Sequence, residues 1–144
     1  MYKIIKAKTA NVDAIVLLNK QFHLDIPNFK WVTKRWINLQ VKKRKYYILV
    51  DKNSILGAMH IEKNEKEYHI TTIAIKREMQ GKELGEKMID FAKEISIKNR
   101  IHLLTVGSFV DYKLDKFYTK CGFTKKDKLG TYKGHSYFKF FMKL

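Results

Sequence analysis

The 144 residues are enough for one domain with a buried core and too few for two, so we expect a single domain over residues 1–144. A composition with 45% hydrophobic and 13% aromatic residues excludes a disordered chain, and one proline with seven glycines excludes a flexible linker. The net charge of +16 comes mostly from lysine and favours an anionic partner, although a lysine-rich proteome would give the same charge without any function.

The apolar segments are short and cysteine is rare. No run approaches the ~20 apolar residues that a membrane span needs, and residues 14–18 fall short of the ~7–15 apolar residues of a signal-peptide core. The single cysteine, Cys121, cannot form an internal disulfide. We therefore expect a cytoplasmic protein that does not contact membranes.

The first third of the chain is predicted to form a strand and two helices. Residues 1–7 alternate as a strand does, and Thr9 or Asn11 can cap the helix that follows. Helical spacing gives this first helix an apolar face of four residues: Val12, Ile15, Val16 and Phe22. After a break at Ile26, Pro27 and Asn28, a second helix is predicted over residues 32–43. Its apolar face has three residues: Val32, Trp36 and Leu39.

The rest of the chain alternates between strand-like and helix-like segments. Five strands are predicted after the second helix, at residues 46–51, 55–62, 67–75, 101–106 and 123–127, with a closing strand at 136–144. Helical periodicity appears at residues 82–98 and 111–120. The order β-α-α-β-β-β-α-β-α-β-β predicts an α/β protein with a mixed sheet of about seven strands and about four helices.

One junction between a strand and a helix has the chemistry of a phosphate site. The strand that ends in Ile73, Ala74 and Ile75 leads through a short loop with glycines into the helix at residues 82–98. A helix start offers unpaired N–H groups and a positive dipole end, and glycine allows a ligand to approach the backbone. Lys82 adds a cation, although glycine at such a junction also occurs as ordinary turn chemistry.

Two motifs resemble one known superfamily. The run Gln80-Gly81-Lys82-Glu83-Leu84-Gly85 resembles the (Gln/Arg)-x-x-Gly-x-(Gly/Ala) loop of the GNAT superfamily of N-acetyltransferases, which binds the coenzyme A pyrophosphate through backbone N–H groups. The run Phe117-Tyr118-Thr119-Lys120-Cys121-Gly122-Phe123 is similar to the superfamily signature Phe-Tyr-x-x-x-Gly-Phe. Their spacing and the order of elements also match, so the resemblance covers nearly the whole chain and implies the GNAT fold.

The resemblance implies that an amine attacks the thioester of acetyl-CoA directly while both substrates are bound. The main chain of Ile73, Ala74 and Ile75 would pair with the pantetheine arm and polarise the thioester carbonyl. Tyr118 falls on the tyrosine that protonates the departing thiolate, although its spacing also fits a core aromatic residue. Asp111 stands where many members have a cofactor-binding asparagine.

Position 83 departs from the loop pattern. Glu83 replaces the central glycine, and its carboxylate opposes a pyrophosphate unless it points to solvent. An acidic residue is favourable in the first turn of a helix, so Glu83 could instead complement the helix dipole.

The general base that the resemblance implies has several candidates. His69 lies on the fourth strand, where some relatives carry a glutamate base, and an imidazole titrates near working pH. Glu67, His60 or an ordered water could serve instead. Thr105 stands where ribosomal-protein acetyltransferases have a glutamate, which argues against that subgroup.

The remaining features bear on ligands. Four aromatic residues could line an acceptor pocket or pack in the core: Phe22, Phe29, Trp31 and Trp36. The basic run at residues 42–45 favours an anionic acceptor, or simply ends a helix.

The histidines and the cysteine give no sign of a metal site or of covalent chemistry. The five histidines show no metal-ligand spacing, so no metal is expected, and Cys121 is expected to fill the core.

Three functions compete at this stage. The first is acetyl transfer from acetyl-CoA to a primary amine of a small molecule or protein. The second is a catalytically silent acetyl-CoA sensor, prompted by Glu83 and Asp111. The third is a basic nucleic-acid binder, which the scarcity of arginine disfavours. The oligomeric state stays open, with a homodimer as one option.

Overall fold

The structure, a computed structural model, describes residues 1–22 and 29–144. The described residues form eight strands: β1 (Tyr2–Lys6), β2 (Tyr46–Asp51), β3 (Ser54–Lys63), β4 (Tyr68–Ile75), β5 (Leu103–Phe109), β6 (Thr124–Lys125), β7 (Gly130–Tyr132) and β8 (His135–Lys143). They also form four α-helices: α1 (Val12–Asn19), α2 (Lys34–Lys42), α3 (Leu84–Lys98) and α4 (Asp115–Lys120). The predicted break at Ile26, Pro27 and Asn28 lies outside the described residues.

The strands form a mixed sheet in the order β1-β2-β3-β4-β5-β8-β6, with β7 beside β8. The pairings β1–β2, β2–β3, β5–β8, β6–β8 and β7–β8 are antiparallel, and β4–β5 is parallel. This sheet with its four helices confirms the predicted α/β class with a mixed sheet. The chain divides into two compact units, one of residues 1–61 and 72–88 and one of residues 62–71 and 89–144.

The core of the first unit is built by α1, α2 and the strands around β2. β1 pairs with β2 over five residues, and the register between β2 and β3 shifts once, between Leu49 and Val50. In α1 the residues Val12, Ile15 and Leu18 are three positions apart and all face inward. The sequence predicts this orientation for Val12 and Ile15. The buried cluster comprises Ala7, Val12, Ile15, Leu18, Ile37, Val41, Tyr46, Ile48, Ala58 and Ala74.

The inward face of α2 differs from the prediction. Ile37, Gln40 and Val41 are the buried residues, whereas Leu39 is 48% exposed. Ile37 and Val41, at positions i and i+4, form the apolar stripe of the helix. Trp36 is partly buried and flanks this stripe. The prediction that Leu39 faces inward was wrong. It considered only apolar residues, whereas the polar Gln40 occupies the inward position next to Leu39.

Gln40 is inward because it satisfies a buried histidine. His60 of β3 donates from Nε2 to Gln40 Oε1 (2.9 Å), and its ring lies between Trp36 (4.9 Å) and Tyr46 (5.2 Å). His60 is 1% exposed. A ring enclosed in this way is a core residue of the first unit, which disfavours it as a general base.

Tyr46 ties β2 to α1 and β4 within the same unit. Its hydroxyl accepts from Asn19 Nδ2 (3.0 Å) and lies 3.3 Å from Thr72 Oγ1. Burial raises the pKa of Tyr46 to about 12, although the bonds to Thr72 and Asn19 act in the opposite direction. The phenol therefore stays neutral and serves as a buried hydrogen-bonding group.

The second unit is organised around β8. Seven residues of β5 pair with β8, from Leu103–Lys143 to Phe109–Tyr137. β6 pairs with residues 140–141 of β8, and β7 pairs with residues 135–137. Tyr118 of α4 packs against Phe123 and Phe140, with ring centroids 5.9 and 5.2 Å away. The sequence predicted the two closing strands, and β7 is an addition to them.

The helix predicted over residues 111–120 begins later than expected. Residues 110–112 form a 3₁₀ turn, Lys113 takes a left-handed conformation (φ 57°), and α4 starts at Asp115. A residue with positive φ interrupts an α-helix, so the first part of the predicted helix was wrong. Gly122, with φ 105°, ends the segment, as glycine commonly does at a helix C-terminus.

Candidate functional site

The loop between β4 and α3 carries the first motif and lies within the first unit. Lys76 N–H donates to the Leu56 carbonyl (2.7 Å), and a 3₁₀ turn follows over Arg77–Met79. Gly81 has φ 82° and is exposed, and a Cβ built there would meet nothing within 4 Å. Glycine is therefore needed for the backbone conformation rather than for space, and the backbone at Gly81 is open to an approaching ligand.

The start of α3 supplies the N–H groups that the sequence predicted. Lys87 N–H donates to the Glu83 carbonyl (3.1 Å), so the helical ladder begins there and the N–H groups of Leu84 and Gly85 precede it. Lys82 beside them is exposed. The helix has 15 residues, so the dipole at this end favours an anion.

Glu83 holds a conformation that suits glycine. Its φ of 64° is left-handed, which strains a residue with a Cβ by roughly 1–2 kcal/mol. The position is the one at which the superfamily pattern has its central glycine. The chain thus carries an exposed carboxylate side chain at a left-handed position of the loop.

The main chain at the end of β4 alternates in direction. The Lys76 N–H points to β3. The Ala74 carbonyl also lies on the side of β3, since its oxygen is 3.1 Å from the place that a Cβ added to Gly57 would take. Because successive residues of a strand point to opposite neighbours, the main-chain groups of Ile73 and Ile75 point away from β3. Of the three residues predicted to pair with pantetheine, these two have the suitable direction.

His69 is paired with Thr105 in the second unit. The two residues are partners across the parallel β4–β5 ladder, and Nδ1 of His69 lies 2.7 Å from Thr105 Oγ1. Burial lowers the pKa of His69 below its ordinary 6.5, and Glu67 and Glu62 oppose the shift. The imidazole is therefore neutral at pH 7 and carries a lone pair that could accept a proton.

Tyr118 is 3% exposed on the inner face of α4. Burial raises the pKa of Tyr118 well above its ordinary 10, and the nearby Cys121 and Tyr112 raise it further. The phenol therefore keeps its proton throughout the physiological pH range. The ring is therefore a core residue, and its hydroxyl keeps the proton that an acid would need, while the catalytic role of Tyr118 stays a prediction.

Asp111 lies in the 3₁₀ turn after β5. Its carboxylate is 3.9 Å from Nδ1 of His135, at the start of β8, and its side chain is 71% exposed. Next to it Phe109 is surrounded by four rings at 5.5–6.3 Å: Tyr112, Tyr132, His135 and Tyr137. The aromatic cluster fixes the turn that carries Asp111.

A family model described as acetyltransferase (GNAT) domain matches residues 17–144. The match includes both motifs and all of β2 to β8. The chain belongs to the GNAT acetyltransferase family.

Solved structures of GNAT proteins share the fold. Ard1 from Thermoplasma volcanium superposes with a TM-score of 0.83 at 12% identity, over 99% of this chain and 97% of that one. The PaiA N-acetyltransferase from Thermoplasma acidophilum, solved in complex with coenzyme A, gives 0.79 at 13% identity, over 100% and 99%. The ribosomal-protein-S18-alanine N-acetyltransferase from Escherichia coli gives 0.78 at 14%, over 99% and 94%. No curated protein matches the chain in sequence.

The structure brings the predicted GNAT residues into two local groups. Gln80 to Gly85 and the main chain of Ile73 and Ile75 lie in the first unit, while His69, Asp111 and Tyr118 lie in the second. Within the described ranges, no group of three or more His, Cys, Asp and Glu could hold a metal, and no helix could cross a membrane.

Sequence reasoning missed Ser108, which lies near the end of β5. Its hydroxyl is buried, and it has no hydrogen-bond partner among residues 1–22 and 29–144. Its ladder partner is Phe138, whose ring lies 6.1 Å from that of Phe140, the residue that packs on Tyr118. A serine in an apolar strand carries no sequence signal, so only the structure identifies it as a candidate binding group.

Two of the aromatic residues proposed for the acceptor pack against each other. Phe29 is buried and its ring meets Trp31 edge-on at 4.9 Å. Trp36 packs on Tyr46 and His60, as described above, and Phe22 packs against the core of the first unit. The basic run ends α2 and begins the turn to β2, with Arg44 left-handed at φ 61°. Each of these residues therefore has a structural role.

Proposed function

We propose that this GNAT protein transfers the acetyl group of acetyl-CoA to a primary amine of a small molecule or a protein. The geometry of the loop between β4 and α3 carries the proposal. Gly81 and Glu83 both take left-handed conformations, and the turn they make leads directly into the first turn of α3. The coenzyme A bound to the related fold of PaiA supports the same cofactor. We place the protein in the cytoplasm and treat residues 1–144 as one functional domain.

The cofactor would be held mainly by backbone groups. The N–H groups of residues 81–85 would bind the pyrophosphate, with Lys82 as a cation beside it. Ile73 and Ile75 would pair with the pantetheine arm, since their main-chain groups point away from β3. Asp111 would contribute a further contact, as asparagine does in many relatives.

The chemical step needs a proton donor at sulfur. The amine nitrogen forms a bond to the thioester carbon, the carbon–sulfur bond breaks, and negative charge develops on sulfur. Tyr118 would donate its hydroxyl proton there, because burial keeps the phenol protonated until that charge forms. The ring stays fixed by Phe123 and Phe140, so the donor does not have to be ordered during the reaction.

The attacking nitrogen must also lose a proton. His69 would accept it, because its lowered pKa leaves the ring neutral at pH 7. The bond to Thr105 fixes the orientation of the ring through Nδ1, so Nε2 is the nitrogen that would act as the base.

Thermal unfolding with and without saturating acetyl-CoA, at physiological salt, tests the proposal. Ligand at about a hundred times its dissociation constant stabilises the folded state by roughly 2.7 kcal/mol, which raises the midpoint by several degrees. Free-thiol detection with a panel of amines then tests turnover. The absence of any thermal shift would contradict the proposal.

The same pair of measurements separates a catalytically silent sensor from an enzyme. Glu83 is the observation that favours the sensor, since its carboxylate stands at the position of the loop glycine. A sensor would show the thermal shift but release no thiol with any amine. The substitution Tyr118→Phe would leave the thermal shift of a sensor unchanged.

A further inference from the structure

Three groups of the first unit close a ring of hydrogen bonds beside the loop between β4 and α3. Gln21 donates from Nε2 to the Ile75 carbonyl (2.9 Å), and Gln80 donates from Nε2 to the same carbonyl (3.1 Å). Gln80 Nε2 also donates to Gln21 Oε1 (2.7 Å). We call these three residues the glutamine latch.

The latch uses both amide hydrogens of Gln80 and both lone pairs of the Ile75 carbonyl. Gln80 has two amide hydrogens, and one goes to each acceptor, while the Ile75 carbonyl has two lone pairs and accepts from both amides. Only an amide at position 21 can both donate to the carbonyl and accept from Gln80. A carboxylate or an apolar side chain of the same length would lose at least one of the two bonds.

The latch anchors an otherwise exposed loop. Residues 76–78 and 80–83 are exposed, and two of the loop residues hold left-handed conformations. Gln80 is the first residue of the family motif, whereas Gln21 lies 59 residues earlier, just after α1, and belongs to no motif. The side chain of Gln21 therefore connects the end of α1 to the start of the cofactor-binding loop.

We propose that Gln21 is a positioning residue for acetyl-CoA, acting through Gln80 and the Ile75 carbonyl. The inference rests on the proposed function of the loop. By holding Gln80 against the end of β4, Gln21 reduces the number of conformations of residues 76–83 that must be lost when the cofactor binds. The latch also occupies the Ile75 carbonyl, so the main-chain pairing with pantetheine is left to Ile73 and to the Ile75 N–H.

Calorimetric titration of acetyl-CoA into the full chain and into Gln21→Met and Gln21→Glu tests the inference. Losing two partly exposed hydrogen bonds should weaken binding by about fivefold to tenfold in Gln21→Met. Gln21→Glu keeps the acceptor for Gln80 but turns a second oxygen toward the Ile75 carbonyl, so it should weaken binding as well. Gln40→Met is the matched control, because it removes an amide that bonds to His60 instead. It should lower the unfolding midpoint and leave acetyl-CoA affinity unchanged.

A double-mutant cycle distinguishes positioning from a general loss of structure. Because Gln21 and Gln80 share one ring, the loss of affinity in Gln21→Met combined with Gln80→Met should be clearly smaller than the sum of the two single losses. Additive losses, or unchanged affinity in both variants at Gln21, would overturn the inference while wild-type binding upholds the proposed function. If the wild-type chain itself fails to bind acetyl-CoA, the proposed function fails, and this inference fails with it.

Discussion

Glu83 combines two unfavourable features in one residue. It has a Cβ in a left-handed conformation, and it places a carboxylate where the family pattern has glycine and a pyrophosphate is expected. The two features can be separated because one is conformational and the other is electrostatic.

Replacing Glu83 should therefore strengthen cofactor binding. We expect Glu83→Gly to tighten acetyl-CoA binding by at least threefold, because the charge is removed and the turn keeps its φ without strain. Glu83→Gln removes the charge alone and should give a smaller gain. Calorimetric titration measures both, and weaker binding by Glu83→Gly would show that the carboxylate supports the loop.

The pKa of His69 makes a prediction about pH. A base must be unprotonated, and burial lowers the pKa of His69 below 6.5, so kcat/KM should stay level from neutral pH down to about pH 6.5. Below that value the rate should fall as the ring gains a proton. In His69→Gln the rate should drop at least tenfold and the acid limb should disappear. An acid limb that persists in this variant would assign it to another group.

Removing the hydroxyl of Tyr118 should affect turnover alone. In Tyr118→Phe the ring keeps its contacts with Phe123 and Phe140, so the fold and the affinity for acetyl-CoA should change little. The chemical step loses its proton donor, and kcat should fall at least tenfold. Steady-state kinetics beside a binding titration tests this, and equal kcat values would remove Tyr118 from the acid role.

At the scale of elements, the β7–β8 hairpin depends on two different glycines. Lys133 (φ 46°) and Gly134 (φ 85°) form its two-residue turn, in which both positions need positive φ. Gly130 instead provides space, since a Cβ there would lie 2.6 Å from the Tyr137 hydroxyl oxygen and 2.7 Å from Cε1. The ring of Tyr137 thus covers the backbone of its ladder partner Gly130.

The two glycines should respond differently to alanine. Gly130→Ala must displace the Tyr137 ring and should cost about 1–3 kcal/mol of unfolding free energy. Gly134→Ala meets no atom within 4 Å and should cost only the strain of positive φ, about 1 kcal/mol. Denaturant unfolding compares them, and a larger loss in Gly134→Ala would contradict the packing argument.

The sequence predicted best the elements whose periodicity is local. β2 was predicted at its observed bounds and β4 within one residue, because runs of β-branched and aromatic residues are bounded by polar turns. The left-handed Lys113, which shortens α4, has no local signal, since lysine rarely takes that conformation. Likewise the spacing that found Gln80 could not find Gln21, because their bond joins residues 59 positions apart.

At the scale of the whole molecule, the charge of +16 should affect the cofactor more than the fold. Acetyl-CoA is a polyanion, so raising NaCl from about 0.05 to about 0.5 M should weaken its binding several-fold as the Debye length shortens. The midpoint of unfolding without ligand should stay level or rise, because the same salt screens repulsion among the lysines. Binding that does not depend on salt would show that backbone hydrogen bonds dominate cofactor recognition.

Positively charged residues occupy several turns where glycine or asparagine is usual. Arg44, Lys52, Arg100, Lys113 and Lys133 all have φ between 46° and 61°. Each holds roughly 1 kcal/mol of backbone strain that asparagine or glycine would relieve in part. Thermostabilisation of this protein could therefore begin at its turns, where one substitution both relaxes the backbone and lowers the net charge. Such changes would leave the residues proposed for catalysis and cofactor binding untouched.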